Sequence, residues 1–171
     1  MAHHRILTYY NHNRSSRFHG AAETVPVIGR DALHGAFFGV AQVDQGFVRS
    51  DAPADTWSEG VIVTFDPSVI PLATLSEVHL RTHSAARARS PRSKYRSAIY
   101  IFEESQRPEA EQAIVRFAGA SAKAVHTLVL PFKGFRASDE RYQNYYRTDP
   151  SRPFCRRYID HRLAQLIIAS L

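Results

Sequence analysis

The chain has one cysteine, Cys155, in 171 residues, so no disulfide can close within it and no cysteine-rich zinc site can form. Any thiol chemistry of its own rests on that single sulfur. It has one tryptophan, Trp57, and no apolar run near the roughly 20 residues a membrane-spanning helix needs. The opening MAHHRILTYYNHNRSS lacks the apolar centre of a secretion signal, and a cytoplasmic protein is the expectation.

What is present suits one globular domain: 44% hydrophobic and 22% charged residues, with 22 Lys+Arg against 16 Asp+Glu. Six of the basic residues, and no acid, fall in RTHSAARARSPRSKYR (81–96). Such a stretch reads first as a solvated loop and second as an anion or nucleic-acid site. Nucleic acid is disfavoured because few aromatics are available there to stack on bases. The partner expected is a small-molecule or peptidyl substrate, with no membrane and no cofactor; oligomeric state is left open.

Residues 1–20 show no sustained period and read as an N-terminal arm, loop or extended, ahead of a single domain over 21–171. TVPVI (24–28) is β-prone but holds Pro26, which belongs at an edge or turn. RDALHGAFF (30–38) has Leu33, Phe37 and Phe38 at helical spacing, with Gly39 where a helix commonly ends. Two strand-like runs follow, VAQVDQGFV and EGVIVTF, and Asp66-Pro67-Ser68 stops the second with a turn.

Pro71 suits a first helical turn, and in PLATLSEVHLRTH the residues Leu72, Leu75 and His79 share one face. A strand is expected at SAIYIF (97–102). Pro108 opens a helix whose stripe is Ala110, Ala113, Ile114, Phe117 and Ala118. A strand near AVHTLVL and two late helices, SDERYQNYY and RRYIDHRLAQLIIASL, complete the order. The alternation predicts an α+β or α/β sandwich, helices packed on a mixed sheet, with a helical C-terminal tail.

His79 and His83 have the i, i+4 spacing that can chelate zinc on a helix face, with Glu77 close by. The order HExxH is absent, and core or surface histidines are favoured over a metal site.

The words SEGVIVTFDP (58–67), HLRTHS (79–84), KYRSAIYIF (94–102) and QNYYRTDPSRPFC (143–155) together resemble the A-type peptide methionine sulfoxide reductases, in a branch with a short loop before the acidic residue. The resemblance covers about residues 24–155. It implies a ferredoxin-like sandwich and reduction of S-methionine sulfoxide by a cysteine in a glycine-cysteine-phenylalanine-tryptophan-glycine loop.

HGAFFG (34–39) looks like that loop with Ala36 for the thiol, but this pairing would delete the family's following helix. Setting Gly39-Val40 on the family's glycine-valine pair runs without a gap and drops the loop on VPVIGRD (25–31). Pro26 then takes the nucleophile position, and Val27 and Ile28 replace the two aromatics. Neither register leaves a cysteine there.

Sulfoxide reduction needs a thiolate to attack sulfur while an acid protonates the departing oxygen, and proline offers no heteroatom. The resemblance places the family's acid on Glu59 and its oxygen-binding phenol on Tyr95. A buried carboxyl that holds its proton suits the first role. By residue type alone, Glu59 reads as an edge carboxylate in solvent and Tyr95 as a half-buried aromatic; the matched family words raise a common pocket to equal standing. The family's neighbouring aspartate falls on Ser90. Its tail cysteine falls on Cys155, here either a packing residue or a thiol that swings into the site.

Trp57, Phe47, Ile28 and Val27 are expected to line an apolar substrate pocket. Three functions follow. The first is a reductase relative without the nucleophile, its pocket reused for non-redox acid/base chemistry by Glu59 and Tyr95, of isomerase, cyclase or hydrolase type. The second is a methionine-sulfoxide binding protein without turnover. The third is a peptide-methionine (S)-S-oxide reductase using Cys155 or an external thiol, an oxidoreductase acting on sulfur.

Overall fold

The computed structural model describes residues 4–8, 39–82 and 88–139 and the single positions 151 and 156. Six strands form one sheet: β1 His4–Thr8, β2 Val40–Arg49, β3 Ser58–Phe65, β4 Ala98–Ile101, β5 Leu128–Pro131 and β6 Gly134–Ala137. Two helices are described, α1 Leu72–Thr82 and α2 Arg107–Ala120, the second preceded by a 3₁₀ turn at Glu104–Gln106.

The sheet order is β5-β4-β1-β3-β2-β6, and every pairing is antiparallel except β4 with β5. Its inner four strands, β4-β1-β3-β2, have the order of a ferredoxin-like sheet, as the family resemblance implies, and the mixed sheet with helices is what the alternation of elements predicts. The parallel β4–β5 pair is joined through α2, because a parallel return requires a crossover rather than a hairpin.

Residues 4–8 correct the reading of their stretch as loop or extended arm. HRILT is extended but lies inside the sheet, where Ile6 is opposite Val63 on one side and Ile101 on the other. Thr8 pairs with Val61, so the chain leaves β1 at the end of β3 where Glu59 stands. The four-residue β6 was not anticipated either; GFRA is too short and too poor in β-branched residues to register as a strand.

Strand alternation sends Val61, Val63 and Phe65 of β3 and Ile99 and Ile101 of β4 to one face. There they pack with Leu72 and Leu75 of α1 and Ala110 of α2. Ile62, Val48, Ala98 and Tyr100 occupy the other face, beside Phe102, Leu130, Phe132 and Phe135. β3 is therefore covered on both sides, and Thr64 is its only residue not fully buried.

In α1 the expected face of Leu72, Leu75 and His79 is buried. In α2 the stripe holds for Ala110 and Ala113, but Ala118 is exposed because eight residues at 100° per residue carry it off the contact line. Asp66 closes the turn before α1, its carboxylate accepting from the Ser68 N–H at 2.9 Å. Gly39 has φ +103°, a conformation that residues with a side chain rarely adopt, and a Cβ there would meet Val69 at 2.8 Å. The expected strand at 24–28, the helix at 30–38 and the two late helices lie outside the described residues, apart from Ser138, Asp139 and Arg156.

Candidate functional site

Glu59 is the second residue of β3 and pairs across the ladder with Phe47. Because β3 is an inner strand, Glu59 is not the solvent carboxylate its type permits: its exposure is 1%. It shares the helix-side face with Val61 and Val63 but lies at the end of that apolar row, where the loop before β4 closes over the sheet.

That loop, the C-terminal part of the basic stretch, is stitched to the start of β3 by backbone. The Lys94 carbonyl accepts from the Glu59 N–H at 3.1 Å and from the Ser58 hydroxyl at 3.0 Å, and the Thr56 hydroxyl donates to the Arg92 carbonyl at 3.0 Å. With its backbone held there, Lys94 turns its side chain back onto Glu59, Nζ to Oε1 at 3.2 Å.

Burial pulls the Lys94 ammonium down, but attraction and hydrogen bonding from Glu59, with the same pair of effects from Tyr95, outweigh it and hold the pKa above its ordinary value. One ammonium therefore joins the two residues expected to do the chemistry. Its nitrogen also lies 5.2 Å from the Tyr95 ring centroid, and Arg89 lies 5.9 Å from the same ring.

Lys94 was missed by sequence reasoning, which read the basic stretch as solvated. Arg96 breaks that reading further. It is fully buried, and its guanidinium donates to the carbonyls of Ala54 and Thr56 and to the Thr56 hydroxyl, pinning the 51–57 segment beneath the loop. A planar fork with several donors suits this task, since buried carbonyl oxygens must be satisfied. Tyr100, beside Arg96 and Ser58, is pushed up to about 12 by burial despite both neighbours favouring its ionised form.

Phe47 and Trp57 are both half-buried, at the edge of the same face rather than in the core. Arg136, the cross-strand partner of Phe47 on β6, lies 5.1 Å from the Phe47 ring centroid and 5.3 Å from that of Trp57. Arg49 approaches Trp57 at 5.2 Å. The expected apolar wall is thus an aromatic pair overlaid by two guanidiniums. Gln45, two residues before Phe47 and buried to 3% exposure, extends the same row. A period-two count from Phe47 in the sequence reaches Gln45 and Arg49; Arg136 had no such signal because its strand went unseen.

His79 is on the buried face of α1, where burial lowers its pKa to about 3 and keeps it neutral. His83, at the i, i+4 spacing disfavoured as a metal pair, lies outside the described residues, as do Pro26, Val27, Ile28 and Cys155. The geometry is that of a buried carboxylate and a phenol on one ammonium, at the rim of a sandwich and beside an aromatic wall. Such a set can take a proton from one ligand atom and donate to an oxygen of another.

The sequence model of the peptide methionine sulfoxide reductase family matches residues 32–169, and the chain belongs to that family. Its relatives bear the name MsrA, the A-type enzyme. The peptide methionine sulfoxide reductase MsrA of Sulfolobus acidocaldarius is 27% identical over 143 residues, covering 75% of this chain and 81% of the relative. That of Thermus thermophilus is 29% identical over 139 residues, covering 73% and 79%.

Among solved structures, reduced Mxr1 from Saccharomyces cerevisiae matches with a TM-score of 0.62 at 16% identity over 90% of this chain and 89% of its own. Methionine sulfoxide reductase A of Corynebacterium diphtheriae matches with a TM-score of 0.55 at 19% identity, covering 86% and 76%. Both confirm the fold. The family match begins after Pro26, Val27 and Ile28, and it includes Phe47, Trp57, Glu59, Lys94, Tyr95 and Cys155.

Proposed function

We propose that this chain is a methionine sulfoxide reductase relative that does not use the family's thiol route and whose pocket serves non-redox acid/base chemistry on a small molecule. Glu59 acts as the base, while Tyr95 and Lys94 donate to an oxygen of the substrate. The observation that carries the reading is the Lys94–Glu59 contact at 3.2 Å. The ammonium at that distance pulls toward the charged carboxylate that a base needs, against the burial of Glu59, which favours the protonated carboxyl of the reductase role. The single cysteine, at position 155, supports the same reading, since no second cysteine exists to complete a disulfide within the chain. No cofactor is required for these steps.

The test is incubation with a blocked S-methionine sulfoxide and dithiothreitol, following methionine by chromatography. The expected result is no methionine beyond the protein-free rate. In parallel, calorimetry should detect binding of the sulfoxide, weakened about tenfold by Tyr95→Phe through loss of one hydrogen bond, a change of about 1.4 kcal/mol. Turnover at reductase rates would refute the proposal.

The names of the relatives favour the competing reading, a reductase working through Cys155 or an external thiol. Turnover abolished by Cys155→Ser would assign the nucleophile to Cys155; turnover indifferent to it would assign an external thiol. Sulfoxide binding with no turnover of any oxygen-bearing ligand would leave the binding-protein reading.

A further inference from the structure

The two arginines over the aromatic wall have no role in the acid/base reading. Arg49 and Arg136 are both exposed, and on the β2–β6 ladder they are diagonal neighbours, Arg49 opposite Gly134 and Arg136 opposite Phe47. Like charges in such positions repel. Nevertheless both guanidiniums are drawn to one indole, 5.2 and 5.3 Å from the Trp57 ring centroid.

No carboxylate among the described residues relieves them. Asp51, two residues beyond Arg49, is paired with Lys133 at 3.4 Å, and Glu59 is paired with Lys94. A guanidinium near an aromatic ring can keep N–H donors for a carboxylate or phosphate, which arginine grips with two parallel hydrogen bonds. Two positive charges brought within 5.3 Å of one indole make a local concentration of charge that an anion would relieve.

We propose that Arg49, Arg136 and Trp57 form an oxyanion site beside Phe47, and that the natural ligand carries a carboxylate or phosphate group. The substrate class is then an acidic small molecule, with the anion held on the β2–β6 side and the rest of the molecule directed along Phe47 toward Glu59. The site stands apart from the chemistry assigned to Glu59, and its test needs no turnover.

Trp57 is the only tryptophan, so the protein's own tryptophan emission reports from inside the proposed site. The full chain is titrated at low ionic strength with inorganic phosphate, with malonate, and with sodium chloride at matched ionic strength. Phosphate, malonate or both should change the emission saturably and chloride should not; the anion that saturates identifies the preferred group. Arg49→Gln and Arg136→Gln should each weaken that binding at least tenfold, with circular dichroism unchanged because both side chains are at the surface, while Arg116→Gln, an exposed arginine on α2, should leave it intact. A response that chloride reproduces, no saturable response, or an undiminished affinity in either arginine variant would overturn the proposal.

Discussion

Replacing Lys94 by methionine keeps the length of the side chain and removes the ammonium from Glu59. At 3.2 Å the pair's direct attraction is about 5 kcal/mol at an effective dielectric near 20. Breaking a fully buried pair costs about 3–5 kcal/mol. The Lys94 side chain is 43% exposed, so solvent screens much of this, and about 2 kcal/mol is expected. The assay is urea unfolding of the parent, Lys94→Met, Glu59→Gln and the double variant, a cycle that isolates the interaction from each residue's other effects.

Lys94→Met should destabilise strongly when Glu59 is present and little when it is glutamine. The pH dependence follows from Lys94. Its folded pKa is raised above 10.5, so the stabilisation is complete below that unfolded value and disappears as pH rises through the folded one. The coupling should therefore be level from pH 7 to about 10 and fall beyond it. Equal costs of Lys94→Met in the two backgrounds would show that the ammonium and carboxylate do not interact and would remove the basis for an ionised Glu59.

Three more outcomes are expected. His79 is neutral in the fold, with a pKa lowered from 6.5 to about 3 by burial, so its stabilisation is present above 6.5 and lost as pH falls toward 3. His79→Leu should reduce the stability lost between pH 7.5 and 4.5 by roughly 2 to 3 kcal/mol in urea melts, and an unchanged loss would refute this. Arg96→Lys should cost about 3 kcal/mol or more, since an ammonium cannot reproduce the fork that serves Ala54 and Thr56; an unaltered melting temperature would contradict it. Gly46→Ala would drive a methyl into the Arg136 carbonyl and to 2.6 Å from the Phe135 ring, so a loss of about 2–4 kcal/mol and weakened protection of β6 amides from exchange are expected.

The fold was legible where local pattern and tertiary role agree. β2 and β3 announced themselves by apolar residues bounded by a turn, and α1 by Pro71 and a face that the core then buried. β1 was hidden because five residues between histidine- and asparagine-rich segments carry too little pattern; only pairing on both edges makes them a strand. Glu59 and Tyr95 were reached through family words, and no spacing rule links them. Lys94 and Arg96 were misread for a physical reason. Charge predicts exposure only until a carboxylate or a set of carbonyls is brought to it by chain from elsewhere in the sequence.

The central place of β1 divides the sheet into two blocks, β3-β2-β6 and β4-β5, with only this five-residue ribbon between them. Take it out and each block is left with a naked apolar margin, the kind of template on which chains aggregate. The molecule thus contains a seam: a copy lacking HRILT should be rescued by a synthetic peptide supplied in solution, and its solubility could be placed under the control of that peptide.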